Sequence, residues 1–175
     1  FTLGKKYFAD EKISEAAIES LKEYSSEWKK FSIEKKVEIF LKFADLIEEN
    51  TNDIIEICAK ESGKSIKNSI AEIREAVDFC RYYSKEALNL FQTQTLKGPT
   101  GELNQYRMVG KGLSFVISPW NFPVAIFVGQ TVAALITGNV VITKPAEQSS
   151  FAAYYIIKLL LKAGLPSNAI ALLLG

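Results

Sequence analysis

The sequence predicts an α/β protein in which N-terminal helices and a β-hairpin precede the first half of a doubly wound parallel sheet. Three observations carry this expectation. Through the first half of the chain, apolar residues recur at three- and four-residue intervals against charged faces. Between Gln92 and Lys111 that pattern stops, and Lys97-Gly98-Pro99-Thr100-Gly101 marks a turn. From Gly112 onward, short apolar runs alternate with helical stretches, the pattern of parallel strands covered by helices. The 175 residues, 48% of them apolar, suffice for one core or for one domain and part of a second.

The elements follow in order. Ile13, Ala16, Ala17, Leu21, Tyr24 and Trp28 form one stripe of a helix over residues 11–30. Ile33, Val37, Phe40, Leu41, Ala44 and Ile47 do the same over 32–49, with Asn50 as a stop. A third helix is expected to begin with Thr51 or Asn52 as N-cap and to end at Gly63. A fourth is expected over about 69–90, opened by Ser69 and Glu72 in capping-box spacing and burying Ile73, Val77, Cys80 and Tyr83. Thr93–Leu96 and Leu103–Val109 read as the strands of an exposed hairpin, which either pairs with another chain or lies on the surface without a partner. Leu113–Ser118 reads as a buried strand, and Val124–Thr137 as a helix with Pro123 in its first turn and Gly138 past its end. Val140–Thr143, a helix over Ser149–Ala163 closed by Gly164, and a strand at Ile170–Leu174 complete the pattern. Three strands make half of a nucleotide-binding sheet. The expected organisation is a helical part (1–91), a hairpin suited to oligomerisation (92–111) and the first part of a nucleotide-binding domain (112–175).

Composition narrows the function. A net charge of +1, from 21 basic and 20 acidic residues, gives no bulk attraction to nucleic acid or anionic lipid. With no histidine, histidine triads and histidine-ligated zinc are excluded within these residues. Two cysteines on apolar helix stripes, Cys58 and Cys80, read as packing residues in a reducing, cytoplasmic setting. The segment from Phe1 to Lys6 has no signal-peptide pattern, and its lack of methionine suggests a piece of something longer. No charge occurs from Gly112 to Thr143, but Pro119, Asn121, Pro123, Gln130 and Gly138-Asn139 punctuate the run. That favours strand–turn–helix–strand over a membrane span.

Two strand ends carry the candidate chemistry. Ile117-Ser118-Pro119-Trp120-Asn121-Phe122-Pro123 closes the first parallel strand, where open α/β sheets place ligands. Asn121, held between prolines and aromatic residues, is either a rigid donor to a developing oxyanion or a cap for the next helix. Thr143-Lys144-Pro145-Ala146-Glu147-Gln148 closes the second strand. Lys144 and Glu147 either meet a ribose as donor and acceptor or form a surface ion pair. No glycine-rich phosphate loop is present, so the pyrophosphate of any dinucleotide is held in another way or by residues elsewhere.

Taken together, these segments resemble the signature pair of the aldehyde dehydrogenase superfamily. Glu61-Ser62-Gly63-Lys64 and the stretch from Glu72 to Tyr83 are similar to its upstream segments. Asn121 to Gln130 is similar to the dehydrogenase domain of bifunctional proline utilization A enzymes. The resemblance implies an incomplete, Rossmann-like fold and NAD-dependent oxidation of glutamate γ-semialdehyde, the open form of 1-pyrroline-5-carboxylate, to glutamate. It implies that Asn121 stabilises the oxyanion formed when a cysteine thiolate attacks the aldehyde. It further implies that Lys144 and Glu147 bind the adenosine ribose of NAD, and that Ile117, Ser118, Pro119 and Trp120 line the cofactor cleft. The family's nucleophilic cysteine and general-base glutamate have no counterpart among these residues. An N-terminal fragment, inactive alone and completed by a second polypeptide, is therefore expected, with a relic or a non-catalytic assembly module as the alternatives. In each case the unpaired edge after Ile170–Leu174 is expected to promote self-association.

Overall fold

The structure, a computed structural model, describes residues 4–175. Phe1, Thr2 and Leu3, the start of the segment without a signal-peptide pattern, lie outside the described residues.

Four helices come first: α1 (Glu11–Lys30), α2 (Ile33–Glu49), α3 (Thr51–Ser62) and α4 (Ile66–Leu90). Asp10 caps α1 by accepting the Ile13 amide at 2.8 Å, and Ser32 caps α2 through the Lys35 amide. Asn50 closes α2 and also stands at the N-cap of α3, a position expected for Thr51 or Asn52. Its side-chain amide turns back to the Leu46 carbonyl instead of capping forward. Gly63 closes α3 at φ 64°, the left-handed conformation that favours glycine.

The start of α4 differs from expectation. Ser65 is its N-cap, accepting from the Asn68 amide, and Ser69 and Glu72 lie inside the helix, both buried. A cap one turn earlier leaves Glu72 free for a tertiary contact. Ile13, Ala16 and Leu41, assigned to apolar stripes by periodicity, are exposed because no described element covers the edges on which they stand.

The hairpin pairs β1 (Gln94–Leu96) antiparallel with β2 (Asn104–Tyr106), with Gln94 opposite Tyr106. The second strand is shorter than the expected Leu103–Val109, since only three residues of β1 pair with it. The chain then passes close to the following helix. A Cβ at Gly110 would lie 2.6 Å from the Gly138 carbonyl, so only glycine fits this crossing.

The remaining elements are β3 (Leu113–Ile117), α5 (Ala125–Ile136), β4 (Val140–Lys144), α6 (Ser150–Ala163) and β5 (Ile170–Leu172). The three strands form a parallel sheet in the order β3-β4-β5. β4 is central and buried from Val140 to Thr143. β3 was expected to be buried, but it alternates: Val116 is buried, while Phe115 and Ile117 are exposed. On the face of this edge strand that carries Phe115 and Ile117, Leu113 packs against the core while the carboxyl end is left uncovered.

Helices α5 and α6 pack on α4 and α2 respectively, and α1 lies against β4. One buried cluster therefore joins Trp28, Phe40, Phe43, Phe127, Leu135 and Ile156 across helices and sheet. The uncharged run from Gly112 to Thr143 is divided among β3, α5 and β4, and no described helix is long and apolar enough to cross a membrane.

Candidate functional site

The carboxyl ends of β3 and β4 bring the two sequence segments side by side. Ile117 is in register with Lys144, and the Ser118 amide donates to the Lys144 carbonyl at 3.2 Å. Ile117 and Trp120 are exposed apolar groups at this edge, Pro119 is half-buried and Ser118 is buried. Asn121 is exposed, and its side-chain amide makes no hydrogen bond among the described residues. It does not cap α5, whose N-cap position is Val124.

Lys144 is half-buried, and among the described residues its ammonium makes only a long 3.5 Å contact with the adjacent Pro145 carbonyl. Glu147 opens a 3₁₀ turn (Glu147–Ser149), with its carboxylate exposed. The two side chains form no ion pair with each other, so one donor and one acceptor remain available at the same edge. An open groove of about 700 Å³ adjoins Glu147, with Lys6, Tyr7, Phe151, Tyr154 and Leu172 in its walls; Lys144 lies outside that lining. The Lys6 ammonium donates to the Glu147 carbonyl and ties the N-terminal segment to this turn.

Helix N-termini at strand ends ordinarily attract anions, because unpaired amides and the helix dipole both point there. Here two carboxylates already occupy them. Glu72 of α4 accepts from the Val124 and Ala125 amides at 2.9 and 3.1 Å, at the start of α5. Glu61 of α3 accepts from Phe151 and Ala152 at 2.7 and 2.9 Å, at the start of α6. Lys64, just past α3, pairs with Glu72, donates to the Asn121 carbonyl at 2.6 Å and stands 4.6 Å from the centre of the Phe122 ring. Burial lowers the pKa of Lys64.

Sequence reasoning gave no role to Glu61, Lys64 or Lys6 and misassigned Glu72. For Glu72 a signal existed: it lies on the same helical stripe as Ser69, Ile73 and Ala76, where an ionisable side chain requires a partner.

Cys58 and Cys80 are fully buried and unpaired, as packing residues should be. Burial pushes the Cys58 thiol up to about 11 and the Cys80 thiol up to about 12, so both are protonated at neutral pH. Iodoacetamide at pH 8 is expected to leave the folded protein unmodified and to alkylate two cysteines after denaturation. Rapid native labelling of either, read by mass spectrometry, would contradict this placement.

The sequence profile of the aldehyde dehydrogenase family matches residues 2–175. The 1-pyrroline-5-carboxylate dehydrogenase of Bacillus subtilis (strain 168) is 33% identical over 168 residues, covering 96% of this chain and 33% of that protein. The bifunctional protein PutA of Salmonella typhimurium (strain LT2) is 38% identical over 167 residues, covering 95% of this chain and 12% of that one. Among solved structures, a mutant of proline utilization A from Bradyrhizobium japonicum superposes with a TM-score of 0.95 at 37% identity, covering 97% of this chain and 18% of that one. The chain thus spans about a third of the length of the curated 1-pyrroline-5-carboxylate dehydrogenases it matches.

Proposed function

The chain belongs to the aldehyde dehydrogenase family, and on that footing we propose that it supplies the NAD-binding and oxyanion-stabilising part of an enzyme oxidising L-glutamate γ-semialdehyde to glutamate in proline catabolism. The observation that carries this reading is the register of Ile117 with Lys144, which sets the Asn121 turn and the Lys144–Glu147 segment side by side at the carboxyl end of the sheet. Lys144 donates to a ribose hydroxyl, and Glu147 accepts from one. Ile117, Ser118, Pro119 and Trp120 form the wall beside them, and the groove next to Glu147 leaves room for the base. NAD bound there supplies the hydride acceptor.

The residues present fit such a ligand: an uncommitted ammonium, an unpaired carboxylate and exposed apolar surface share one edge. Because Glu61 and Glu72 fill the two helix N-termini, the pyrophosphate is held without them, in keeping with the missing glycine-rich loop. The Asn121 amide, uncommitted and exposed, donates to the developing oxyanion. Buried and protonated, Cys58 and Cys80 do not serve as the nucleophile, and the polypeptide alone is expected not to oxidise aldehydes. A second polypeptide carrying a nucleophile would complete the site. On this reading residues 1–91 are a helical support, 92–111 an oligomerisation hairpin and 112–175 the first part of the NAD-binding domain. The two free thiols suit a reducing cytoplasm.

Titration of the purified chain with NAD, followed by Trp120 fluorescence, tests the reading. Saturable quenching is expected, weaker with NADP, whose 2′-phosphate meets the Glu147 carboxylate. Lys144→Ala should weaken binding about 10- to 100-fold, the worth of one charge-assisted hydrogen bond. Unchanged affinity in that variant would remove the ribose assignment, and aldehyde-dependent NADH formation by the chain alone would remove the assignment of the nucleophile elsewhere. The exposed apolar residues Leu96, Leu103, Tyr106, Met108 and Val109 favour a second reading, a non-catalytic module that self-associates through its hairpin. Absence of NAD binding together with a concentration-dependent dimer would favour it.

A further inference from the structure

We infer that Lys64 and Glu72 are positioning residues that set the conformation of the Asn121 turn. The inference rests on the role proposed above for Asn121, and it concerns how that amide is held.

The turn from Ser118 to Val124 joins β3 to α5 without regular secondary structure. Asn121 and Phe122 are exposed within it, so packing alone does not fix them. A donor useful to a developing charge must already be oriented, because reorganisation during reaction forfeits its benefit. Lys64 supplies the constraint at two points, through its hydrogen bond to the Asn121 carbonyl and its contact with the Phe122 ring. A flexible lysine side chain is a poor clamp unless its ammonium is anchored. Glu72 anchors it, with its side chain 2% exposed.

Glu72 is fixed in turn. Its other carboxylate oxygen accepts the Val124 and Ala125 amides, and its Cα lies inside the long helix α4. A rigid helix thus reaches the turn at two places, directly at its α5 end and through Lys64 at Asn121. Were the carboxylate only a cap for α5, the amide contacts would suffice and Lys64 would have no reason to reach past it to Asn121. Lys64 stands just beyond Gly63, whose left-handed conformation redirects the chain between α3 and α4.

The test is an NMR comparison of the full ¹⁵N-labelled chain with variants at position 64. The side-chain amide pair of Asn121 is identified by its loss in Asn121→Asp. In Lys64→Met, the backbone amides of Asn121 and Phe122 and the Asn121 side-chain pair are expected to shift and broaden. The Val124 and Ala125 amides should remain protected by Glu72, and Lys64→Arg should restore the Asn121 signals toward their original positions. Unchanged Asn121 signals in Lys64→Met would overturn the inference. So would equal broadening of the turn and of all α5, which would mean that the pair holds the fold as a whole. If Lys64→Met gives no folded spectrum, Lys64→Gln is read in the same way, and failure of both to fold also overturns the positioning role. No nucleotide enters this experiment, so failure of NAD to bind and failure of Lys64 to position the turn are separate results.

Discussion

Replacing Glu72 with alanine is expected to cost about 3–5 kcal/mol of folding stability, the usual penalty for removing one partner of a buried ion pair. The carboxylate is almost fully buried, and three groups depend on it: the Lys64 ammonium and the Val124 and Ala125 amides. Alanine leaves both amides without their acceptor at the start of α5. It also leaves a positive charge facing the positive end of a helix dipole. Out of a total stability of about 5–15 kcal/mol, this is a large fraction. For a chain of this size the corresponding fall in Tm is on the order of 10 °C. Glu72→Gln should lose less, because its amide oxygen still accepts from the α5 amides while the charge opposite Lys64 is gone. Urea unfolding followed by circular dichroism reads both variants. A loss below about 1 kcal/mol in Glu72→Ala would mean that water replaces the carboxylate at little cost, and that the site is wetter than its burial indicates.

Glu72 also marks the limit of what the sequence discloses. Its spacing from Ser69 satisfies a capping box, and that local pattern competed with the helical stripe on which Glu72 also lies. The structure resolves the competition through Ser65, which caps α4 one turn earlier. The helices themselves were legible because burial of a single face imposes a 3.6-residue period, and every helix expected from that period is present. The alternation of apolar strands with helices was legible as a parallel sheet, which puts the Asn121 and Lys144 segments at the same carboxyl end. The exposure of Phe115 and Ile117 was not legible. A strand's apolar content does not say whether it will be central, like β4, or at an edge, like β3. Nor was the need for glycine at position 110, which comes from a crossing with Gly138 and leaves no local pattern. The contacts that shape the candidate site, Glu61 to α6 and Lys64 to Asn121, join residues far apart in sequence and have no periodic signature.

The second large effect is expected at Trp28, where alanine should cost about 3–5 kcal/mol through the cavity it leaves. The indole is wholly buried on α1, packed against Phe31 with ring centroids 5.0 Å apart, and the Lys36 ammonium lies 5.3 Å from its centre. Its Nε1 donates at 3.0 Å to the Leu135 carbonyl near the end of α5, which also accepts the Gly138 amide at 2.9 Å. Trp28 thereby fixes α1 to the carboxyl end of the helix whose amino end Glu72 holds. Trp28→Phe keeps much of the packing and loses the hydrogen bond, so its cost should be nearer to about 1 kcal/mol plus the smaller ring's deficit. Fluorescence gives an independent check in the same variants. Removing the buried indole leaves Trp120, 56% exposed, as the sole tryptophan, so emission should shift to the red and iodide should quench nearly all of it. A variant that loses stability while remaining only partly quenchable would place Trp120 in a more protected setting than the strand edge described above, and the wall assigned to the nucleotide would have to be redrawn around it.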